Sequence, residues 1–138
     1  MNRYFQEVRD AHALIRDSLG DAQTPDAVCD ELLSRFCPAF SMVTPRGAIM
    51  DFTAVDNLFR TQRGVRAGLT IAIEDLQLVA ESETGATVTY QERQTIPGQG
   101  ETLRFATAVF ETGADGRVMW RHLHETFLNI AEHEETSR

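Results

Sequence analysis

The 138 residues predict an α+β protein, with three N-terminal helices packed on a bent antiparallel sheet. Three observations predict it. Before residue 64, apolar side chains recur at helical spacing, punctuated by Gly20, Pro25 and Pro38. From Gly68 onward they alternate, as strand residues do. Two glycine-bearing turns, Pro97-Gly98-Gln99-Gly100 and Gly113-Ala114-Asp115-Gly116, then cut the remaining chain into hairpin-length segments.

The first helix spans residues 3–19. Phe5, Val8, His12, Ile15 and Leu19 share one stripe, widened by Tyr4 and Ala11, and Arg3 and Glu7 form an i,i+4 pair on the other face. Gly20 stops it. A second helix starts at Thr24-Pro25, where Thr24 caps and Pro25 suits the first helical position because its missing N–H would be unpaired there. Val28, Leu32 and Phe36 form its buried stripe, and Cys37-Pro38 ends it. Residues 39–43 form a short strand, followed by a turn at Thr44-Pro45-Arg46-Gly47. The third helix opens at Thr53, where Thr53-Ala54-Val55-Asp56 has the capping-box pattern, carries Leu58 and Phe59 on its apolar side, and ends at Gly64.

In the next strand Leu69, Ile71 and Ile73 alternate, and Leu76 and Leu78 continue one position out of phase. Such a slip is what a β-bulge produces, which places a bend near Glu74-Asp75. Residues 86–96 and 101–111 form the following strands, and the last runs from Gly116 to Phe127. Arg104 to Phe110 is apolar on both faces, so the side away from the helices calls for cover, and a second subunit is the readiest source. Residues 1–138 are expected to form one domain, with about 132–138 a frayed polar tail that includes His133.

Composition narrows the function classes. A net charge of -8 disfavours nucleic-acid binding. No apolar run approaches the roughly 20 residues of a membrane span, and the N-terminus has no signal-peptide core, which reads as a cytoplasmic protein that leaves membranes alone. Cys29 and Cys37 match no metal or redox spacing and read as small buried hydrophobes. Arg46, Arg60, Arg63 and Arg66 give a basic stretch around the third helix, where cations suit the helix end and anion binding is the weaker alternative.

The last strand holds Trp120, His122 and His124. Strict alternation puts all three on one face. If each hairpin loop has four residues, Tyr90, Thr107 and His122 align across three strands, as do Glu92, Phe105 and His124. A five-residue first loop brings Arg104 opposite Glu92 instead. Both registers are open. The face can be structural, its histidines hydrogen-bonded within the sheet or at an interface. It can line a ligand pocket made with Tyr90, Glu92, Arg104, Trp120, His122 and His124, together with Phe40, Met42 and His12 from the first strand and helix. It can also be catalytic, with His124 as general acid or base, tuned by Glu92 and acting beside Tyr90. His12 sits on an apolar stripe and reads as a satisfied core histidine. No metal is expected, because His122-Leu123-His124 offers two ligands without a convincing third, and no cofactor is expected.

The order helix, helix, short strand, helix, bent sheet resembles the nuclear-transport-factor-2-like superfamily, the cone-shaped, cystatin-like fold also seen in ketosteroid isomerase and SnoaL-like polyketide cyclases. Asp115-Gly116, Val118 and His122-Leu123-His124-Glu125-Thr126 resemble the end of the calcium/calmodulin-dependent kinase II association domain, which carries an Asp-Gly turn, a tryptophan two residues on and His-x-His-x-Ser. Val118 stands at the tryptophan position and Thr126 at the serine. Phe40 to Gly47 resembles the family's first strand and turn. Tyr90-Gln91-Glu92 departs from the kinase domain's Tyr-x-Arg, and Ala108 replaces another pocket arginine. Phe40 to Val43 supplies no carboxylate base of the ketosteroid isomerase kind. The resemblance implies a pocket between sheet and helices and a homodimer formed through the sheet. For function it implies a SnoaL-like binding or accessory protein for an apolar small molecule. The alternatives are an acid–base isomerase, dehydratase or cyclase, and a homo-oligomerising association module.

Overall fold

The computed structural model describes residues 2–131. The tail from Glu132 to Arg138, His133 included, lies outside the described residues. The element order is α1 (Arg3–Gly20), α2 (Asp26–Leu33), β1 (Phe36–Val43), β2 (Ile49–Asp51), α3 (Phe52–Thr61), β3 (Thr70–Ser82), β4 (Gly85–Ile96), β5 (Gly100–Thr112) and β6 (Val118–Leu128). The six strands form one sheet in the order β2-β1-β6-β5-β4-β3. Four ladders, β1–β2, β3–β4, β4–β5 and β5–β6, pair sequence neighbours antiparallel, while β1 pairs parallel to β6 and joins the N-terminal part of the chain to its last strand. The sheet therefore has six strands and one parallel ladder, where the sequence suggested about four antiparallel ones.

Helix α1 is started by Asn2, whose side chain accepts from the amides of Tyr4 and Phe5 at 2.8 and 3.2 Å. Its stripe of Tyr4, Val8, Ala11 and His12 is buried against the sheet. The expected Arg3–Glu7 pair is replaced. Glu7 instead accepts from Arg35, in the turn before β1, at 2.7 Å and from the buried Trp120 indole at 3.1 Å, tying α1 to that turn and to β6, because these sheltered donors hold a carboxylate better than a solvated arginine does.

Three boundaries differ from the sequence expectation. Thr24 does not cap α2: its hydroxyl donates to the Asp17 carbonyl, and Pro25 is the N-cap. Helix α2 ends at Leu33, and Phe36, Cys37 and Pro38 belong to β1, where a register break between Phe36 and Ser41 accommodates the proline's missing donor. Asp51, and not Thr53, caps α3 by accepting from the Ala54 amide at 2.9 Å. Past α3, Gly64 adopts φ +73° and a Cβ there would come within 2.5 Å of the Ala22 Cα, so only glycine lets the two loops touch.

The bend in β3 is present. Its register with β4 shifts between Glu74 and Gln77, and Asp75 takes φ 55°. A further bulge lies in β6. Phe110 pairs with Trp120 and Val109 with His122, so Arg121 is the extra residue. Trp120 thus faces the helices, and so do Leu123 and Glu125, while His122 and His124 face the opposite side of the sheet. The helix-facing core includes Val88 and Tyr90 from β4, Ala106, Ala108 and Phe110 from β5, and Trp120 from β6. On the other side Phe105 is left 38% exposed.

Candidate functional site

Between α1, α3 and the sheet lies a cavity of about 310 Å³, within the range of small-molecule sites. Its wall is mostly apolar, with Ile15 and Leu19 from α1, Phe40 and Met42 from β1, Met50 from β2 and Phe59 from α3. At its mouth the turn between β1 and β2 brings Arg46 within 5.5 Å of the Phe127 ring, and Arg104 approaches the same ring at 5.2 Å. A polar cluster also lines the cavity: His12, Arg66, Glu92, Gln94, Arg104 and Glu125.

That cluster is a connected chain. His12 Nε2 lies 3.0 Å from Glu92 Oε1, and His12 Nδ1 lies 2.7 Å from the Val8 carbonyl. With Glu92 ionised, both neighbours accept, so the ring donates from both nitrogens as an imidazolium. Burial lowers its pKa, but the charge and hydrogen bond of Glu92, helped by the Val8 carbonyl, reverse this and raise it. Gln94 donates its amide to Glu92 Oε2 at 2.6 Å, and its carbonyl accepts from Arg66 at 2.8 Å. Burial pushes the Glu92 pKa upward, but the charge and hydrogen bond of His12, then Arg104 and Gln94, bring it down to about 2.

Glu125 is the counterpart. Arg104 donates to it at 3.2 Å, yet burial and the charge of Glu92 outweigh Arg104 and His12 and raise its pKa to about 7. One cavity thus holds a carboxylate fixed as an anion beside one poised near neutrality. Tyr90 packs edge-on to His12, with ring centroids 5.4 Å apart, and its buried hydroxyl has no hydrogen-bond partner among the described residues.

The residues singled out in the sequence divide between the two sides of the sheet. His12, Phe40, Met42, Glu92, Arg104 and Trp120 line the cavity. Tyr90 is buried behind His12. His122 and His124 do not share this face, and the grouping of His124 with Glu92 and Tyr90 is corrected: the bulge at Arg121 breaks the alternation between Trp120 and His122. His122 instead bonds Ser41 at 2.8 Å, and its ring lies 6.5 Å from that of His124. The partner of Glu92 is His12. The first hairpin closes on Ile96 and Gly100 with Glu92 opposite Arg104, the second of the two registers the sequence left open.

Glu125, Gln94 and Arg66 were not picked out as site residues. A signal for Glu125 was available, since it alternates with Leu123 and Phe127 and so is a carboxylate on an apolar face. Arg66 comes from the basic stretch, whose other members are spent differently: Arg60 bonds Asp56 and Asp30, and Arg63 bonds Asp26. Among the described residues no group of three or more His, Cys, Asp and Glu side chains could hold a metal ion, and no helix is long and apolar enough to cross a membrane.

No protein-family model matches the chain, and no curated protein sequence does. Solved structures do. A putative calcium/calmodulin-dependent kinase type II association domain from Thiobacillus denitrificans aligns with TM-score 0.63 and 17% identity, over 73% of this chain and 82% of its own. A putative ketosteroid isomerase from Shewanella frigidimarina aligns with TM-score 0.63 and 17% identity, over 86% and 90%. At those identities the likeness is one of fold. An NTF-2 like protein of unknown function from Pseudomonas aeruginosa is much nearer, at TM-score 0.86 and 41% identity over 91% of this chain and 98% of the other. A sequence match of that depth, on a six-stranded sheet with the helices folded over one face, makes the chain a member of the nuclear-transport-factor-2-like family.

Proposed function

We propose that the protein binds a small, largely apolar molecule in the cavity between sheet and helices, as a binding or accessory protein of the SnoaL-like kind. The observation that carries this reading is the combination of an apolar-walled cavity of about 310 Å³ with a buried, hydrogen-bonded charge cluster on its lining. Apolar walls supply affinity and a few placed polar groups supply orientation, which is how small-molecule sites are built. His12, Glu92, Arg104, Trp120, Phe40 and Met42 are the contacts we assign, with Arg66 and Glu125 added. A thermal-shift screen of apolar acids, alcohols and ketones tests it. Stabilisation by a member of the set, lost in Phe40→Arg, supports the reading, and no stabilisation by any of them contradicts it.

Acid–base chemistry of isomerase, dehydratase or cyclase type on an apolar molecule is the second reading. It is favoured by the opposite shifts of Glu92 and Glu125, since neighbouring carboxylates pushed apart mark an ionised group beside a proton carrier. In it Glu125 moves the proton. Turnover lost in Glu125→Gln with binding kept would separate this reading from simple binding. For assembly we propose a homodimer through the side of the sheet that carries Phe105, His122 and His124. Light scattering that shows a strict monomer would contradict it.

A further inference from the structure

We propose that the polar end of the cavity is a carboxylic-acid subsite, in which the ligand's carboxyl group lies between Arg66 and Arg104 and shares one proton with Glu125. The proposal rests on the reading of the cavity as a ligand site and names the ligand class: an apolar monocarboxylic acid.

The charges in the cavity lead to it. The His12 imidazolium is matched by Glu92, and Arg104 by Glu125. Arg66 is half-buried and bonds the neutral amide of Gln94, with no carboxylate partner among the described residues. Burial lowers its pKa, and the like charge of Arg104 lowers it further, so its cation is under strain of the kind an anion relieves. Arg104 has a buried Nε without a hydrogen-bond partner among the described residues. Two guanidinium groups with N–H donors to spare are a natural seat for a carboxylate. The adjoining wall of Phe40, Met42 and Leu123 takes an apolar tail.

A carboxylate at that seat would be the third acidic group in one small space. Its charge adds to that of Glu92, which with burial already raises Glu125 to about 7, so a proton shared between Glu125 and the ligand relieves the repulsion within that pair. The groups facing Glu125 decide which one takes it. They are His12 from α1, Tyr90 and Glu92 from β4, Arg104 from β5, Arg66 after α3 and Arg46 at the mouth. Glu92 is pinned as an anion by His12 and Gln94, whereas Glu125 accepts one hydrogen bond, from Arg104. The proton therefore comes from solvent to the pair made by Glu125 and the ligand.

Calorimetry of the full chain with octanoate and with octan-1-ol, between pH 6 and 8 in two buffers of different ionisation enthalpy, tests this. Octanoate should bind tighter than octan-1-ol at pH 6 and lose about tenfold in affinity per pH unit above about 7, with uptake approaching one proton per complex. Glu125→Gln should remove the uptake and the pH dependence. Arg66→Gln should weaken octanoate at least about tenfold and octan-1-ol by much less. If octan-1-ol binds and octanoate binds no better, or binds without proton uptake, the acid subsite is wrong while the cavity stands as a ligand site. If neither binds, both readings fall. The wild-type buffer comparison decides the point even if a variant fails to fold.

Discussion

His12 and Glu92 form an ion pair 3.0 Å apart with side chains 4% and 3% exposed, and it joins the first helix to β4, the strand next to the β3 edge of the sheet. Removing one partner leaves the other charge buried and alone. Glu92→Leu should therefore cost roughly 3–5 kcal/mol, and His12→Leu a similar amount. The double variant should recover part of this, because both desolvation costs disappear together. Urea denaturation of the four proteins checks it, and simple additivity of the single costs would contradict the coupling.

The two carboxylates of the cavity bend the pH dependence of stability in different windows. Glu92, lowered from 4.5 to about 2, contributes stability that is present above pH 4.5 and lost as the pH falls through about 2. Glu125, raised from 4.5 to about 7, works in the other direction. Between those values the folded chain holds a proton that the unfolded chain has released, so stability falls as the pH rises from 4.5 through about 7. The unfolding free energy should decline between pH 5 and pH 8, by on the order of 2–3 kcal/mol. Glu125→Gln should remove the decline below about pH 6.5, above which His12, raised from 6.5, adds a decline of its own. A variant with the wild-type slope would show that another group carries it.

Helix α3 offers a local test of which residue starts it. Asp51→Ala should cost about 1 kcal/mol, because its side chain holds the Ala54 amide, and Thr53→Ala should cost a few tenths at most. Equal losses would mean that the two side chains share the role.

Glycines 64 and 98 both sit at positive φ, yet a Cβ at Gly98 meets nothing within 4 Å, while one at Gly64 comes within 2.5 Å of the Ala22 Cα. Gly98→Ala should cost about 1 kcal/mol from the left-handed backbone alone. Gly64→Ala should cost at least about 1 kcal/mol more, through the clash. Thermal denaturation of both variants measures the difference, and equal costs would show that the loops yield freely.

The fold was legible because its signals are periodic. The stripe from Val8 to Leu19 and the phase slip around Glu74-Asp75 each follow from spacing, and the structure has the helix and the bulge where they fall. Strand β2 was not legible: three residues, Ile49–Asp51, are too few to show a period. The site was half legible. Glu92, Arg104, Trp120, Phe40, Met42 and His12 come from the patterned elements and meet at the cavity. The histidines of β6 misled because one extra residue, Arg121, reverses the faces beyond it, and nothing in Trp120-Arg121-His122 announces a bulge. The His12–Glu92 pair escaped for another reason: 80 residues separate the partners, and only the packing of α1 on β4 brings them together.

The methionines give the most direct test of the central claim, that this cavity is where a ligand sits. Met42 and Met50 line it, and Met119 lies on β6 away from its wall. With methyl-labelled methionine and octanoate added at pH 6, the Met42 and Met50 resonances should shift and show contacts to the octanoate chain while Met119 stays in place. Unchanged Met42 and Met50 signals under saturating octanoate and octan-1-ol, or a response confined to Met119, would contradict the account.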